Sequence, residues 1–175
     1  MAKEKIVFES ANGEMLSAYL DWPVSDDGQA LDVKAWVLFA HGFSIGKDLK
    51  PIRTIANTLV AAGFGMMRFD FTGLGESEGD FSDTNFTSNV RDILAASRYL
   101  RENKQAPAIL IGHSFGGTAA LKVADEIPEC KAVATIGSPC DTTHIIHQFA
   151  DQSEEIEEEG QAKVLLGGRP FIIKE

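Results

Sequence analysis

A serine lies between glycines in the segment Gly112-His113-Ser114-Phe115-Gly116, directly after a short aliphatic run. This Gly-x-Ser-x-Gly pattern is typical of a sharp turn between a strand and a helix, which exposes a serine hydroxyl at the end of a sheet. Such a hydroxyl attacks an acyl carbonyl when a neighbouring base removes its proton. The alternative is a glycine-rich turn with an incidental serine, because the pattern is short. Ser114 is therefore a candidate nucleophile for acyl transfer.

A second segment, LFAHGFSIGKD at residues 38–48, is suited to stabilise the negative charge that develops in such a reaction. The tetrahedral oxyanion of acyl transfer needs two preorganised N–H donors. We expect one from the residue after the nucleophile, Phe115, and the other from Phe43, in the loop after an earlier strand. Gly42 allows the backbone to approach closely. His41 is either a general base or a residue that shapes this loop, and its place in a His-Gly pair favours loop shaping.

The hydrophobic pattern predicts a regular frame that holds these turns. Aliphatic strand segments alternate with helical segments, which is the pattern of a mostly parallel α/β sheet covered by helices on both faces. Asn12-Gly13 between the first two strands indicates an antiparallel hairpin at the N-terminus. The predicted strands cover residues 5–10, 15–22, 35–40, 65–69, 108–111 and 132–136, and the predicted helices begin after a cap at Asp48, near Asn85 and at Phe115.

The sequence changes character after Pro139. Residues 141–175 combine a helical segment, a glutamate-rich stretch and a small hairpin around Gly167-Gly168. This pattern predicts the start of a cap or lid, following a core formed by residues 1–140. We expect residues 1–175 to form a single domain.

Three motifs between residues 38 and 117 occur in the order in which they occur in the α/β-hydrolase family, which this chain resembles. The third motif is the segment 70–77, DFTGLGES, which looks like the Asp-x-Arg-Gly-x-Gly-x-Ser loop of that family with Thr72 in place of arginine. The segments LFAHGFSIGKDLK, RFDFTGLGESEGDFSDTNF and VATIGSPCD resemble a bacterial subgroup whose hydrolase domain is often followed by an osmotically inducible protein C-like domain, and LGGRPF looks like the cap of that subgroup. The resemblance implies a serine hydrolase of esters, thioesters or related acyl compounds, without a cofactor or a metal ion.

The resemblance also implies a triad in the chain order serine, acid, histidine. After the predicted strand 132–136 the chain has two histidines, His144 and His147, both on the predicted cap helix, and Asp141 is a candidate acid. Two further strands and the histidine loop of the family are not recognisable. We therefore expect an α/β-hydrolase domain that is incomplete at its C-terminus and lacks the triad acid and base. The alternative is a catalytically inactive hydrolase-fold module used for interaction or as a fusion partner.

Composition limits the partners of the chain. A net charge of −10 over 175 residues argues against nucleic acid and anionic membranes as partners. The first residues carry no apolar stretch that would make a signal peptide, and two cysteines are too few for a disulfide framework, so we expect a cytoplasmic protein. We expect a small-molecule acyl substrate. At the exposed sheet edge of residues 132–136 we expect either self-association of the chain or a cap segment folded over the edge.

Overall fold

Strands and helices alternate along the part of the chain that the computed structural model describes, residues 1–139, 160–166 and 169–174. Short 3₁₀ turns lie at Phe81–Asp83 and Ala124–Glu126. The strands and helices are β1 (Ala2–Glu9), β2 (Met15–Trp22), β3 (Trp36–Ala40), α1 (Lys50–Ala61), β4 (Gly65–Phe69), α2 (Phe86–Asn103), β5 (Pro107–His113), α3 (Phe115–Val123), β6 (Ala132–Ile136), β7 (Gln161–Leu166) and β8 (Arg169–Lys174).

The first six strands form one mixed sheet in the order β1-β2-β4-β3-β5-β6. β1 and β2 pair in an antiparallel hairpin, and β2 pairs antiparallel with β4. The pairs β4/β3, β3/β5 and β5/β6 are all parallel. This arrangement confirms the fold class predicted from the sequence, a mostly parallel sheet with an antiparallel N-terminal hairpin.

Both faces of the sheet are covered by helices, as the alternation of side chains along β3 illustrates. Val37 and Phe39 belong to one buried cluster, which includes Ile52 of α1. Leu38 and Ala40 point to the opposite face and belong to a larger cluster, to which α2 and α3 contribute. Because successive side chains of a strand alternate between faces, a strand buried on both sides is apolar throughout.

The start of α1 differs from the prediction. The sequence predicts Asp48 as the cap of this helix, but the residue in the cap position is Leu49, which makes no side-chain hydrogen bond. Pro51 lies in the first turn of the helix. Proline is favoured there because its missing N–H has no partner within the helix. The Asp48 carboxylate instead accepts a hydrogen bond from Nη1 of Arg68 at 2.9 Å. The cap prediction was wrong because a strand distant in sequence supplies a charged partner.

Helix α2 begins where the sequence predicted. The Asn85 side chain accepts a hydrogen bond from the Ser88 backbone N–H, and the Ser88 hydroxyl accepts one from the Asn85 N–H. This reciprocal capping satisfies two backbone donors that the first turn leaves without helical partners. Within the described ranges, no helix has both the length and the apolar composition needed to cross a membrane.

The hairpin predicted near the C-terminus is present as a separate two-stranded antiparallel sheet of β7 and β8. It lies against the 3₁₀ turn Phe81–Asp83, where the Phe171 ring contacts the Phe81 ring and Lys174 forms an ion pair with Asp83. The glycines of its turn and the predicted cap helix fall outside the described residues. Strand β6 is the last strand of the main sheet in the described ranges, and most of its residues are exposed. Association of copies through it stays a prediction.

A buried carboxylate connects α2 to the turn that follows β4. Asp92 accepts hydrogen bonds from the Thr72 backbone N–H at 2.9 Å and from the Thr72 hydroxyl at 3.2 Å. Burial nevertheless raises the pKa of Asp92 to about 6, because few groups compensate for the loss of water around the charge. The folded protein therefore binds a proton at Asp92 more tightly than the unfolded chain does.

This raised pKa predicts that Asp92 favours folding most at pH below about 4 and that the contribution is lost as the pH rises through 6. Asp92→Asn keeps an uncharged side chain of the same shape. The stability of the variant relative to wild type should therefore be greater at pH 7.5 than at pH 4.5, by on the order of 2 kcal/mol. Urea unfolding of both proteins across this range measures the difference. Parallel stability curves would contradict the assignment.

Candidate active site

Ser114 occupies the turn between β5 and α3, with φ 52° and ψ −126°. A positive φ is rare for a residue with a side chain. Such a residue is strained, and it keeps this conformation only where the surrounding structure enforces it. Two backbone hydrogen bonds hold the turn: the Ser114 N–H donates to the Ile136 carbonyl at 2.9 Å, and the Gly117 N–H donates to the Ser114 carbonyl at 2.9 Å. The strained strand-to-helix turn expected from the Gly-x-Ser-x-Gly pattern is thus confirmed for the backbone.

The glycines around Ser114 allow α3 to pack directly on the strands beneath it. A methyl group on Gly112 would overlap the Gly117 backbone, and one on Gly116 would overlap the carbonyl groups of Ala40 and His41. Neither neighbour is a flexible side chain that could move aside. These glycines are therefore required by the close approach of α3 to β3 and β5.

The loop after β3 lies beside the serine. A Cβ atom built on Gly42 would be 3.2 Å from the Ser114 Cβ and 2.7 Å from Nδ1 of His113. The rings of Phe43 and Phe115 contact each other with centroids 5.8 Å apart. The structure thus brings together the three predicted site residues, Ser114, Phe43 and Phe115. Their roles as nucleophile and oxyanion-hole donors remain predictions.

His41 is buried at the base of this loop and both of its ring nitrogens are engaged. Nδ1 donates to the Gly42 carbonyl at 2.8 Å, and Nε2 accepts from the Phe71 N–H at 3.3 Å. Only the neutral ring can make both bonds, because Nε2 must be unprotonated. Burial lowers the pKa of His41, which keeps the ring neutral. These contacts fit the loop-shaping role and leave no free nitrogen for a general base.

A buried ion pair that the sequence analysis missed fixes the far end of this loop. Lys47 donates from Nζ to the Asp70 carboxylate at 2.5 Å and from its backbone N–H to the same carboxylate at 2.6 Å. The Lys47 Nζ also donates to Glu76 at 2.7 Å. Lys47 and the exposed Lys5 together lower the pKa of Glu76 to about 2. The loop of residues 41–47 is therefore tied to the turn 70–76 by both backbone and charge.

A second buried charge supports the first. Arg68 of β4 donates from Nε to Asp21 at 2.8 Å and from Nη1 to the Lys47 carbonyl at 2.9 Å. A charged residue inside an otherwise apolar strand is rarely buried without partners. Arg68 in the segment GMMRFDF was the signal in the sequence that could have revealed this network.

The triad candidates Asp141, His144 and His147 fall outside the described residues. Across residues 1–139, 160–166 and 169–174, no group of three His, Cys, Asp or Glu side chains is placed to bind a metal ion.

A mostly parallel sheet between helices, with a strained serine at the end of a central strand, defines the α/β-hydrolase class. Residues 32–159 match the family described as serine aminopeptidase, S33. The chain belongs to this family.

Relatives of the chain are named as hydrolases of esters and thioesters. The chain is similar to the esterase domain of a Rhodothermus marinus protein, with 42% identity, 99% of this chain and 65% of that chain covered, and a TM-score of 0.71. It is 31% identical to "Palmitoyl-protein thioesterase ABHD10, mitochondrial" of Homo sapiens, over 73% of this chain and 40% of that protein. It is 29% identical to the monoglyceride lipase of Homo sapiens, over 69% of this chain and 44% of that protein. The matched region thus spans less than half the length of these two curated relatives.

The buried pair predicts a large effect of Lys47→Met on stability. The substitution leaves the Asp70 carboxylate buried without its cation, which typically costs about 3–5 kcal/mol. Urea unfolding measures the loss. Lys5→Met is the matched control, because Lys5 pairs with the exposed side of Glu76 and its removal should change stability little. Equal effects of the two substitutions would show that the buried pair does not hold this loop.

The strained turn predicts that Ser114→Gly is more stable than Ser114→Ala by about 1 kcal/mol, because glycine adopts this φ without a Cβ clash. At the exposed Leu121 of α3 the order should reverse: Leu121→Gly should be less stable than Leu121→Ala by about 1 kcal/mol, because glycine disfavours a helix relative to alanine. Thermal unfolding of the four variants tests both orders. A less stable Ser114→Gly would mean that the turn stores no strain.

Proposed function

We propose that the chain carries the nucleophile and the oxyanion-hole half of a serine hydrolase that acts on esters, thioesters or related acyl compounds. The observation that carries this proposal is the strained backbone of Ser114, with the loop of Gly42 and Phe43 packed against it. Strain at one position persists when the surrounding structure enforces it, and it is concentrated at functional sites.

In the proposed reaction, the Ser114 Oγ attacks the carbonyl carbon of the substrate while a base takes its proton. The carbonyl oxygen becomes an oxyanion that the N–H groups of Phe43 and Phe115 stabilise. Collapse of this intermediate expels the alcohol or thiol, which receives the proton, and leaves an acyl group on Ser114. Water then attacks the acyl-enzyme by the same route and releases the acid. His41 is not the base, because both of its nitrogens are bound within the loop.

The substrate class is supported by the names of relatives. The Rhodothermus marinus structure is an esterase domain, and the two human relatives are named as a thioesterase and a lipase. All three names describe cleavage of an acyl group from oxygen or sulfur. A serine with an oxyanion hole performs this chemistry on both bond types.

Labelling with a fluorophosphonate tests the nucleophile directly. The probe forms a bond from its phosphorus to a serine oxygen and releases fluoride. Because the sequence has no recognisable triad base for Ser114, we expect slow labelling. After long incubation, intact-mass spectrometry and peptide mapping should find one phosphonyl group, located on Ser114, and none on the Ser114→Ala variant. The Ser82→Ala variant, which changes a partly buried serine in the 3₁₀ turn Phe81–Asp83, should be labelled like wild type. A chain that is not labelled at Ser114 would favour the alternative of a non-catalytic interaction module.

The base is tested separately by turnover of p-nitrophenyl acetate. We expect slow turnover that is unchanged by His144→Ala combined with His147→Ala, because the sequence predicts both residues on a cap helix, and a histidine on a helix surface usually faces solvent. Residual catalysis of roughly 10³–10⁴-fold over water persists in serine hydrolases that lack triad members. Rapid turnover that is lost in the histidine variant would assign the base to this pair instead.

A further inference from the structure

Five phenylalanine rings form a continuous cluster that begins at the residue after Ser114. The cluster is built by five separate segments: the loop after β3, the 3₁₀ turn after β4, the start of α2, the start of α3, and β8. Its members are Phe43, Phe81, Phe86, Phe115 and Phe171. We refer to these five side chains as the phenylalanine cluster.

The rings are connected by edge-to-face contacts. Phe115 contacts Phe86 at 5.3 Å and Phe43 at 5.8 Å between centroids. Phe43 contacts Phe81 at 5.1 Å, and Phe81 contacts Phe171 at 4.7 Å. This is the arrangement that aromatic rings prefer. The contacts lead without interruption from the nucleophile turn to the hairpin of β7 and β8.

The cluster is not an ordinary part of the core. Phe39 and Phe69 in the sheet, and Phe71 in the turn after β4, are almost completely buried. In the cluster only Phe115 is buried, and the other four rings remain partly accessible. Partly accessible aromatic surface that is continuous with a reactive group is typical of a ligand-binding surface.

The hairpin is oriented so that Phe171 faces this cluster. Phe171 pairs across the hairpin with Val164, and Ile173 pairs with Ala162, so these four side chains share one face. Val164 and Ala162 are buried, whereas Leu165 and Ile172 on the opposite face are exposed. Lys174 also forms an ion pair with Asp83, in the 3₁₀ turn that carries Phe81.

We propose that the phenylalanine cluster binds the apolar acyl group of the substrate, and that Phe171 determines how long an acyl chain is preferred. This inference rests on the proposed function of Ser114. The acyl group is the part of the substrate that lies nearest to the cluster, because Phe43 and Phe115 also carry the N–H groups assigned to the oxyanion. The acyl chain is bonded to the same carbonyl carbon, and it remains at the site through both steps of the reaction. Phe171 lies two ring contacts from Phe43, at the far end of the cluster from Ser114.

The test measures binding of unreactive acyl compounds, so it does not depend on catalysis. Acetamide and octanamide are titrated into the Ser114→Ala protein, and dissociation constants are obtained from chemical-shift changes in NMR spectra. Octanamide should bind at least tenfold more tightly, because each buried methylene adds to affinity. Phe171→Ala should reduce octanamide affinity about tenfold and leave acetamide binding unchanged. Phe171→Leu, which keeps the hairpin face apolar, should give an intermediate value.

Ile172→Ala is the matched control, because Ile172 is the next residue of β8 and points to the exposed face. It should leave the binding of both amides unchanged. Equal affinity for the two amides, an unchanged octanamide affinity in Phe171→Ala, or an equal loss in Ile172→Ala would each overturn the proposal. These results are separate from fluorophosphonate labelling of Ser114. If Ser114 is labelled but Phe171 has no effect, this inference alone fails. Chain-length-dependent binding without labelling would refute the proposed function instead.

Discussion

The carboxylate of Asp70 is the buried group on which the arrangement around Ser114 depends. It accepts hydrogen bonds from the backbone N–H groups of Lys47 and Glu76 and from the Lys47 ammonium group. A buried charge with this many donors is stable only in one geometry, because loss of any partner leaves it poorly solvated. The loop of residues 41–47 and the turn 70–76 therefore hold each other in place. Arg68 adds a second buried charge and donates a hydrogen bond to the Lys47 carbonyl.

Backbone strain and close packing occur together around Ser114. Ser44 and Ser114 are the non-glycine residues with positive φ in the described ranges. Ser44 lies in the loop that Asp70 anchors, and Ser114 lies in the turn against which that loop packs. Each such position costs on the order of 1–3 kcal/mol, which the apolar sheet beneath must offset. The strained positions thus lie at the candidate site rather than in the core.

The phenylalanine cluster joins the candidate site to the hairpin near the C-terminus. Membership of the S33 family and the names of the relatives support the acyl chemistry proposed at Ser114. The geometry of Phe81 and Phe171 makes a narrower proposal, which concerns the length of the acyl group. It connects the chemistry proposed at Ser114 with a part of the chain that lies outside the main sheet.

The sequence by itself determined the order of strands and helices, the N-terminal hairpin and the strained turn at Ser114. These features follow from local patterns: apolar periodicity, Asn-Gly, and glycines flanking a serine. Tertiary structure alone decided the partners of buried charges. Asp48 was expected to cap α1 but bonds Arg68, and Lys47 was overlooked although it pairs with Asp70. These pairs join residues at least 20 positions apart, and the sequence around a charged residue does not indicate which distant residue will pair with it.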